Sequence, residues 1–484
     1  MNKTTKKLFI LIASASACII LSFLFVFYAD SFSRPAPVTL TEQEQSDLKS
    51  LITSRNPPSV LHSLPYPVIP ADLPVQAYSA FVIDAKNGCI LYEKNADTLI
   101  SPASMTKLVA IYVVLEEAEK GNVSLSDIVP LRKESWAKNA PPDSSLMFLG
   151  EGQKVSLDEL ITGMAVVSGN DAAVAAAQYV SGSVEKFVER MNTVVQSIGL
   201  KNTRFVECTG YSERNVTTAR EFAAFCRRYL EKFPKTLEKY HSLTSFTYPK
   251  AQNLKEGLSY SLALQSGSAI EGTLPVTQNA TNKILGKIEG ADGLKTGFIY
   301  ESGYNLALTV QRGSSRFISV TMGGPGKGSI QGNEIRLEDS KTIMDWAFST
   351  FSSVSLSDTL FITLPVFGGK QNALYLVEFP YYSAAHTITV PLIASYRSGT
   401  VKLERVFEVR EYINAPVQKG DVIGYCKYML GDICIEQTEL ISDRSIEKSG
   451  ILKTALDSAA ELLYKKKKGS RDLLPEQYRI PQTE

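Results

Sequence analysis

A lysine that leads straight into a long apolar run has to be buried with it, and one stretch of this chain is built that way. In Ser101-Pro102-Ala103-Ser104-Met105-Thr106-Lys107 the lysine is followed by eight consecutive apolar residues, 108–115. The stretch reads as the start of a buried helix. Ser101 is placed to cap the first free amides, and Pro102 suits the first helical position, where its missing N–H costs nothing. Ser104 then falls in the first turn, near the positive end of the helix dipole. Lys107 lies three residues on, so its amine and the Ser104 hydroxyl share a face. Burial favours the neutral, basic form of an amine, and a serine beside such an amine becomes a nucleophile.

Spacing alone does not single this pair out. Four other Ser-x-x-Lys matches occur, at Ser46 and Lys49, Ser135 and Lys138, Ser183 and Lys186, and Ser445 and Lys448. All four sit in polar surroundings and read as solvated faces.

The rest of the composition removes several alternatives. With 51 basic and 50 acidic residues in 484, the net charge of +1 leaves no electrostatic footprint for nucleic acid. The three histidines, His62, His241 and His386, lie far apart, so neither a zinc site nor a Ser-His-Asp arrangement has material to draw on. No Gly-rich phosphate loop is present, and no metal or cofactor is expected. A chain of this length is too long for one core and should form two or three domains.

Taken in order, the chain opens with three lysines before residue 8 and then an uncharged apolar segment, 8–28. Residues 1–30 are a secretory signal or an N-terminal membrane anchor. The run is long for a cleaved signal and long enough to span a bilayer, which favours the anchor, although Ser31-Phe32-Ser33 is a candidate cleavage site. Either way the lysines stay cytoplasmic and the remainder is exported. Residues 31–74 hold 8 of the 22 prolines and read as an extended tether, interrupted at most by one short helix capped by Thr41 and Glu44. From residue 77 a hairpin around Lys86-Asn87-Gly88 precedes the Ser104 helix. Amphipathic helices follow at 157–167, 172–179 and 184–198. A second hairpin, 304–321, and a closing helix, 337–348, complete a domain of residues 75–350. Its layout is α+β, with the two hairpins sharing one antiparallel sheet and helices on both faces plus a helical subdomain.

Residues 353–442 read as a small all-β domain of short strands. Cys426 and Cys434 flank a hairpin turn there, and are either disulfide-bonded or two free thiols. Residues 445–484 form an amphipathic helix and a polar basic tail. Ile451, Leu452, Ala455, Leu456, Ala459, Ala460 and Leu463 share one stripe ahead of four lysines. An interfacial membrane helix (451–468) and an ordinary surface helix both have this pattern.

Three short elements now stand in sequence: Ser104-Met105-Thr106-Lys107, Ser168-Gly169-Asn170 and Lys295-Thr296-Gly297. Alone, the second is equally a helix-capping turn and the third a strand end. Together and in this order they resemble the penicillin-binding serine hydrolases, whose signature is Ser-x-x-Lys, Ser-x-Asn and Lys-Thr-Gly. The flanking Asp84-Ala85-Lys86-Asn87-Gly88, Val167-Ser168-Gly169-Asn170-Asp171, Thr218-Ala219-Arg220 and Asp292-Gly293-Leu294-Lys295-Thr296-Gly297 are similar to the low-molecular-mass D-alanyl-D-alanine carboxypeptidases. The likeness runs from about residue 75 to 348 and more loosely into the β domain. Residues 250–275 stand out as an insertion.

The resemblance implies a β-lactamase/transpeptidase-like fold and a hydrolase that removes the terminal D-alanine from peptidoglycan stem peptides and is acylated by β-lactams. It implies Ser104 as nucleophile, and Lys107, held neutral by burial and by the charge of Lys295, as its base. Ser168 would relay a proton to the leaving amine, and Asn170 would hold the substrate backbone. Lys295 and Thr296 would bind the terminal carboxylate. Gly297 would leave the strand edge open for the substrate, and the amides of Ser104 and Phe298 would form an oxyanion hole. A class A β-lactamase would need Glu-x-x-Leu-Asn, which is missing between Asn170 and Lys295. A non-catalytic β-lactam sensor would need further transmembrane segments or a cytoplasmic output domain.

Overall fold

The computed structural model describes residues 3–32, 41–55, 61–64, 66–68, 70–254, 274–355, 361–379, 387–392 and 403–466. The chain divides into a larger unit, Pro58–Val354 with Thr389–Ile393, and a smaller one, Met1–Pro57 with Ser355–Ile388 and Ala394–Glu484. The first two helices, α1 (Lys3–Ser31) and α2 (Glu42–Arg55), belong to the smaller unit. At the start of α2 the Glu44 amide donates to Thr41 Oγ1 at 3.3 Å and the Thr41 amide donates to the Glu44 carboxylate at 2.8 Å, the reciprocal cap expected of these residues.

The larger unit is organised on one sheet. Its strands are β1 (His62–Ser63), β2 (Ser79–Asp84), β3 (Cys89–Lys94) and, after four short strands, β8 (Ala291–Ile299), β9 (Gly303–Arg312) and β10 (Ser315–Gly324). The short ones pair as ribbons, β4 (Ile128–Val129) with β5 (Val155–Ser156) and β6 (Ser245–Tyr248) with β7 (Val276–Asn279). The order is β1-β3-β2-β10-β9-β8, so the two expected hairpins meet through the antiparallel β2–β10 pair. Every residue of β2 is buried, as suits an inner strand covered on both faces. Strand β8 is an edge. Within this sheet, among the described residues, only the two-residue β1 pairs in parallel.

Helix α3 (Thr106–Glu119) is buried at every position from Thr106 to Leu115, which is why its sequence is apolar on all sides. The helix expected over 157–167 is divided. Helix α4 (Leu157–Thr162) passes into one π-helical turn, Gly163–Val167, that ends on Ser168. Gly163 is required there, since a Cβ on it would lie 2.4 Å from Met147 Sδ. Helices α5 (Asn170–Ser181), α6 (Val184–Ser197) and α7 (Ala219–Lys232) complete the helical layer, with Gly182 at φ 79° ending α5.

Helix α8 (Gly328–Thr350) begins well before the expected residue 337. Its first turns carry Gly, Ser, Gln and Asn with no apolar period, so the sequence pattern does not show them. They form because Gly332 sits on the ring of Tyr304, where a Cβ would approach ring carbon Cζ to 2.2 Å. Strand β11 (Phe351–Ser355) follows. Of the 250–275 insertion, residues 255–273 lie outside the described residues; its ends leave the β6–β7 ribbon, where Tyr248 faces Val276.

The smaller unit carries β12 (Phe361–Phe367), β13 (Ala373–Phe379), β15 (Leu403–Val409), β16 (Ile413–Asn414), β17 (Val422–Leu430) and β18 (Ile433–Ser442); β14 (Thr387–Pro391) pairs with β11. The sheet order is β15-β17-β18-β13-β12-β16. Cys426 faces Thr438 and Cys434 faces Met429 across the β17–β18 hairpin, and both thiols are free. The chain's last described helix is α9 (Ile451–Lys466).

Gly332→Ala weighs two effects against each other. Alanine gains up to about 1 kcal/mol of helix propensity, whereas a methyl forced into a packed ring typically costs 1–3 kcal/mol or more. The clash with Tyr304 is severe enough that the variant should unfold at lower temperature than wild type. Gly150→Ala, whose Cβ meets Gln153 at an ordinary 3.6 Å, should melt close to wild type.

Candidate active site

Ser104 occupies a 3₁₀ turn, Ala103–Met105, that runs directly into α3. The turn is held in an uncommon shape: Ala103 is fully buried at φ 49°, a left-handed conformation that side chains rarely adopt. Three neighbours hold it. Asn305 Nδ2 on β9 donates to the Ser101 carbonyl at 2.9 Å, while its Oδ1 accepts from the Gly323 amide at 2.9 Å. The backbone of Gly210 lies so close that a Cβ there would fall 1.9 Å from the Ala103 oxygen. Gly297 on β8 lies equally tight, 2.3 Å from the Pro102 oxygen by the same measure. The glycine expected to open a strand edge therefore has a more immediate reason to be there. It lets β8 touch the Ser104 turn, which brings the segments carrying the Ser104 and Phe298 amides together.

Lys107 is completely buried and its Nζ reaches three oxygens: Ser104 Oγ at 3.1 Å, Asn170 Oδ1 at 2.6 Å and the Thr209 carbonyl at 2.6 Å. An ammonium donates to all three. A neutral amine keeps two of those donations and turns its lone pair to the third oxygen's proton, so one geometry serves both charge states. Burial pulls this amine down to about 8, against the opposing pull of the Glu207 carboxylate. Lys295 is affected more strongly, its amine driven well below its ordinary range, first by burial and then by Lys107 and Arg336, and its repulsion with Lys107 acts on both amines.

The Thr209 carbonyl is positioned by Glu207. Its carboxylate accepts from the Thr209 amide at 2.6 Å, the Gly210 amide at 2.8 Å and Asn215 Nδ2 at 2.7 Å, and Asn215 Nδ2 also reaches Thr106 Oγ1 at 3.2 Å. One carboxylate thus wraps the loop against the start of α3.

Ser168 ends the π-helical turn at φ 63°, and its buried Oγ accepts from Lys295 Nζ at 3.0 Å. Asn170 opens α5. Its Nδ2 donates to Ser144 Oγ at 3.2 Å, and its backbone amide to the Ser145 carbonyl at 2.8 Å. Asp171 is 2 % exposed and accepts from the Met147 amide at 2.8 Å and the Leu149 amide at 3.0 Å, fixing the loop above the site. Burial raises its pKa, and these backbone donors oppose the rise.

On β8, Lys295, Thr296, Gly297 and Phe298 face Ala307, Leu306, Asn305 and Tyr304. Lys295 and Thr296 are buried, whereas Phe298 is partly exposed. Arg336 of α8 adds a cation that the sequence pattern did not reveal. It bonds the Gly297 carbonyl through Nη2 and lies over the Tyr304 ring at 4.8 Å, and burial lowers it to about 10. Among the described residues no carboxylate comes within ion-pair distance of Lys107, Lys295 or Arg336. Buried cations without counter-charge create a site that binds an anion and that keeps an amine neutral.

All eight expected site residues are thus gathered around one turn. The structure adds Arg336, Glu207 and Asp171. Asp171 stood beside the Ser-x-Asn element, but Glu207 lies in an aperiodic turn and Arg336 in the polar start of α8. The two described histidines are engaged elsewhere, His62 with the Ser63 and Asn87 carbonyls and His241 Nε2 with the Tyr229 hydroxyl at 2.7 Å, and burial lowers His62 to about 4 and His241 to about 3.

The Glu207 wrap makes a testable demand. Glu207→Ala should weaken the hold on the Thr209 carbonyl while leaving Ser104 in place. Thermal melting should fall and the rate at which Ser104 is covalently trapped should drop about tenfold, a charge-assisted bond being worth about 1.5–3 kcal/mol. An unchanged trapping rate would show that Lys107 does not depend on this loop.

Comparison with known proteins identifies the chain's family. Residues 67–326 match the D-alanyl-D-alanine carboxypeptidase family, and residues 348–448 match the C-terminal domain of penicillin-binding protein 5. The D-alanyl-D-alanine carboxypeptidase DacC of Escherichia coli K12 is 30% identical over 385 residues, 78% of this chain and 86% of that protein. DacF of Bacillus subtilis is 28% identical over 387 residues, 79% of this chain and 89% of its own. The structure of penicillin-binding protein 5 from Haemophilus influenzae superposes with a TM-score of 0.65 at 30% identity, covering 79% of this chain and all of that one. The chain belongs to the D-alanyl-D-alanine carboxypeptidase family of serine peptidases.

Proposed function

We propose that Ser104 attacks the carbonyl that joins the two terminal D-alanines of a peptidoglycan stem peptide, with Lys107 as its base. The observation that carries this reading is the buried Lys107 amine, 3.1 Å from Ser104 Oγ and without a carboxylate at ion-pair distance. As the hydroxyl oxygen bonds to the carbonyl carbon, its proton passes to the Lys107 lone pair, and the ammonium that forms keeps Asn170 and Thr209 as acceptors. The amides of Ser104 and Phe298 meet the developing oxyanion. When the C–N bond breaks, the Lys107 ammonium gives up that proton, which is relayed through Ser168, its hydroxyl held by Lys295, to the departing D-alanine amine, and Lys107 returns to the free amine. Lys295, Thr296 and Arg336 bind the terminal carboxylate, which supplies the missing anion. Asn170 holds the stem backbone, water then releases the shortened peptide, and a β-lactam enters by the same first step and stays.

Among the described residues one helix is long and apolar enough to cross a membrane, Ile10–Ser31. Its lysine-rich start supports the reading that the remainder is exported and that the enzyme sits on the outer face of the cytoplasmic membrane. On α9, Ile451, Leu452, Leu456 and Leu463 form an exposed apolar side next to Lys465 and Lys466, which suits contact with the lipid surface.

Labelling of the full chain by a fluorescent penicillin, beside release of D-alanine from a stem pentapeptide, tests the reaction. Both should vanish in Ser104→Ala. Labelling without release would keep the nucleophile and move the function to sensing or to another acyl acceptor. Arg336→Ala should raise the KM for the pentapeptide about 10- to 100-fold, the range for a lost charged hydrogen bond. An unchanged KM would remove Arg336 from carboxylate recognition.

A further inference from the structure

The last turn of α1 is not a free lead-in to the exported protein. Phe32 is 1 % exposed and stacks on Phe367 of β12, with ring centroids 4.4 Å apart and planes 20° from parallel. Tyr412 and Tyr464 close the far side of Phe367, edge-on at 5.5 and 5.7 Å. Ala29 is buried in the same cluster, together with Ala460 and Tyr464 of α9. Tyr28 donates its hydroxyl to Asp457 Oδ1. Asp457 is wholly buried, and its other oxygen accepts from the Gly368 amide at 2.8 Å and from Lys453 Nζ at 2.7 Å. Lys453 Nζ in turn donates to the Gly369 carbonyl at 2.7 Å, so α9 and the turn after β12 form one socket around the end of α1.

The two ends of α1 differ sharply. Ile10, Leu11, Ile12, Ile19, Phe23 and Phe27 are all more than half exposed, on a helix long and apolar enough to cross a bilayer core. From Tyr28 onward the helix turns protein side. A tyrosine at that boundary is placed as interfacial aromatic residues usually are.

We propose that α1 is retained in the exported enzyme as a bilayer-spanning helix whose final turn is a structural part of the smaller unit, locked by Phe32 in the Phe367–Tyr412–Tyr464 socket and by Tyr28 on Asp457. This rests on the membrane attachment proposed above and specifies its form. Ser31, within the candidate cleavage site, is the last residue of the helix, and Phe32 is enclosed in the folded protein. Cleavage there would also strip Phe367 of its stacking partner and take the tyrosine donor from a buried carboxylate. The partner of the exposed part is a phospholipid bilayer. The partner of the last turn is this chain's own C-terminal helix and sheet.

The test uses the full chain, exported in a bacterial host and recovered from its membranes. Mass analysis should find residues 3–32 still joined to the enzyme, which should resist extraction by alkaline carbonate. In detergent, Phe32→Ala and Tyr28→Phe should each lower the melting temperature by several degrees. Phe27→Ala, on the exposed side, should not. None of the three should alter D-alanine release, so a failed anchor and a failed enzyme give different results. A mature N-terminus at or beyond Ser31 overturns the proposal. So does equal melting of Phe32→Ala, Tyr28→Phe and Phe27→Ala, which would mean that the socket contributes nothing.

Discussion

Lys107 is the constraint on which the larger unit depends. An amine at the inner end of a helix start, with no carboxylate at ion-pair distance, is costly to bury in its charged form. The fold does not neutralise that cost with an acid. It surrounds the nitrogen with neutral oxygens from three elements: Ser104 from its own turn, Asn170 from α5 and the Thr209 carbonyl from the Glu207 loop. The carboxylates of Glu207 and Asp171 are turned onto backbone amides, where they fix loops without pairing with the amine. That arrangement suits the role proposed for Lys107, an amine that needs little energy to lose its proton beside a hydroxyl that has one to give.

The second constraint is distance between backbones. The nucleophile's turn is enclosed by strand β8 on one side and the 207–212 loop on the other, and both contacts are closer than any side chain allows. Gly297 and Gly210 serve this purpose, and Gly332 does the same for α8 on Tyr304. This last contact brings Arg336 over the same ring and onto the Gly297 carbonyl. The anion-binding end of the site therefore depends on a glycine in a helix, where helix propensity alone would disfavour it.

These contacts explain how far the sequence could be read. The apolar run after Lys107 announced a buried helix, and the two hairpins announced a shared sheet, because both signals are local and periodic. The eight candidate site residues could be proposed because they fall in short, ordered elements. Arg336 was not, since the start of α8 has no apolar period and is stabilised by a ring from another strand. Glu207 was hidden for a related reason: its five or so residues of turn have meaning only once folded against α3. The π-helical turn before Ser168 was masked by a continuous amphipathic pattern. On the smaller unit, the same logic hid the grip on α1, whose apolar stretch reads alike whether its last turn meets lipid, solvent or protein.

The central claim is that a neutral Lys107 takes the Ser104 proton, and the pH dependence of Ser104 acylation by a penicillin tests it most directly. Because the free amine is the active form, the rate should rise with pH through a single midpoint at about 8, where burial sets this amine. Glu207 favours the ammonium, so Glu207→Gln should move that midpoint to lower pH. A rate that stays flat through this region, or a midpoint that does not respond to Glu207, would contradict the account and assign the proton to another group.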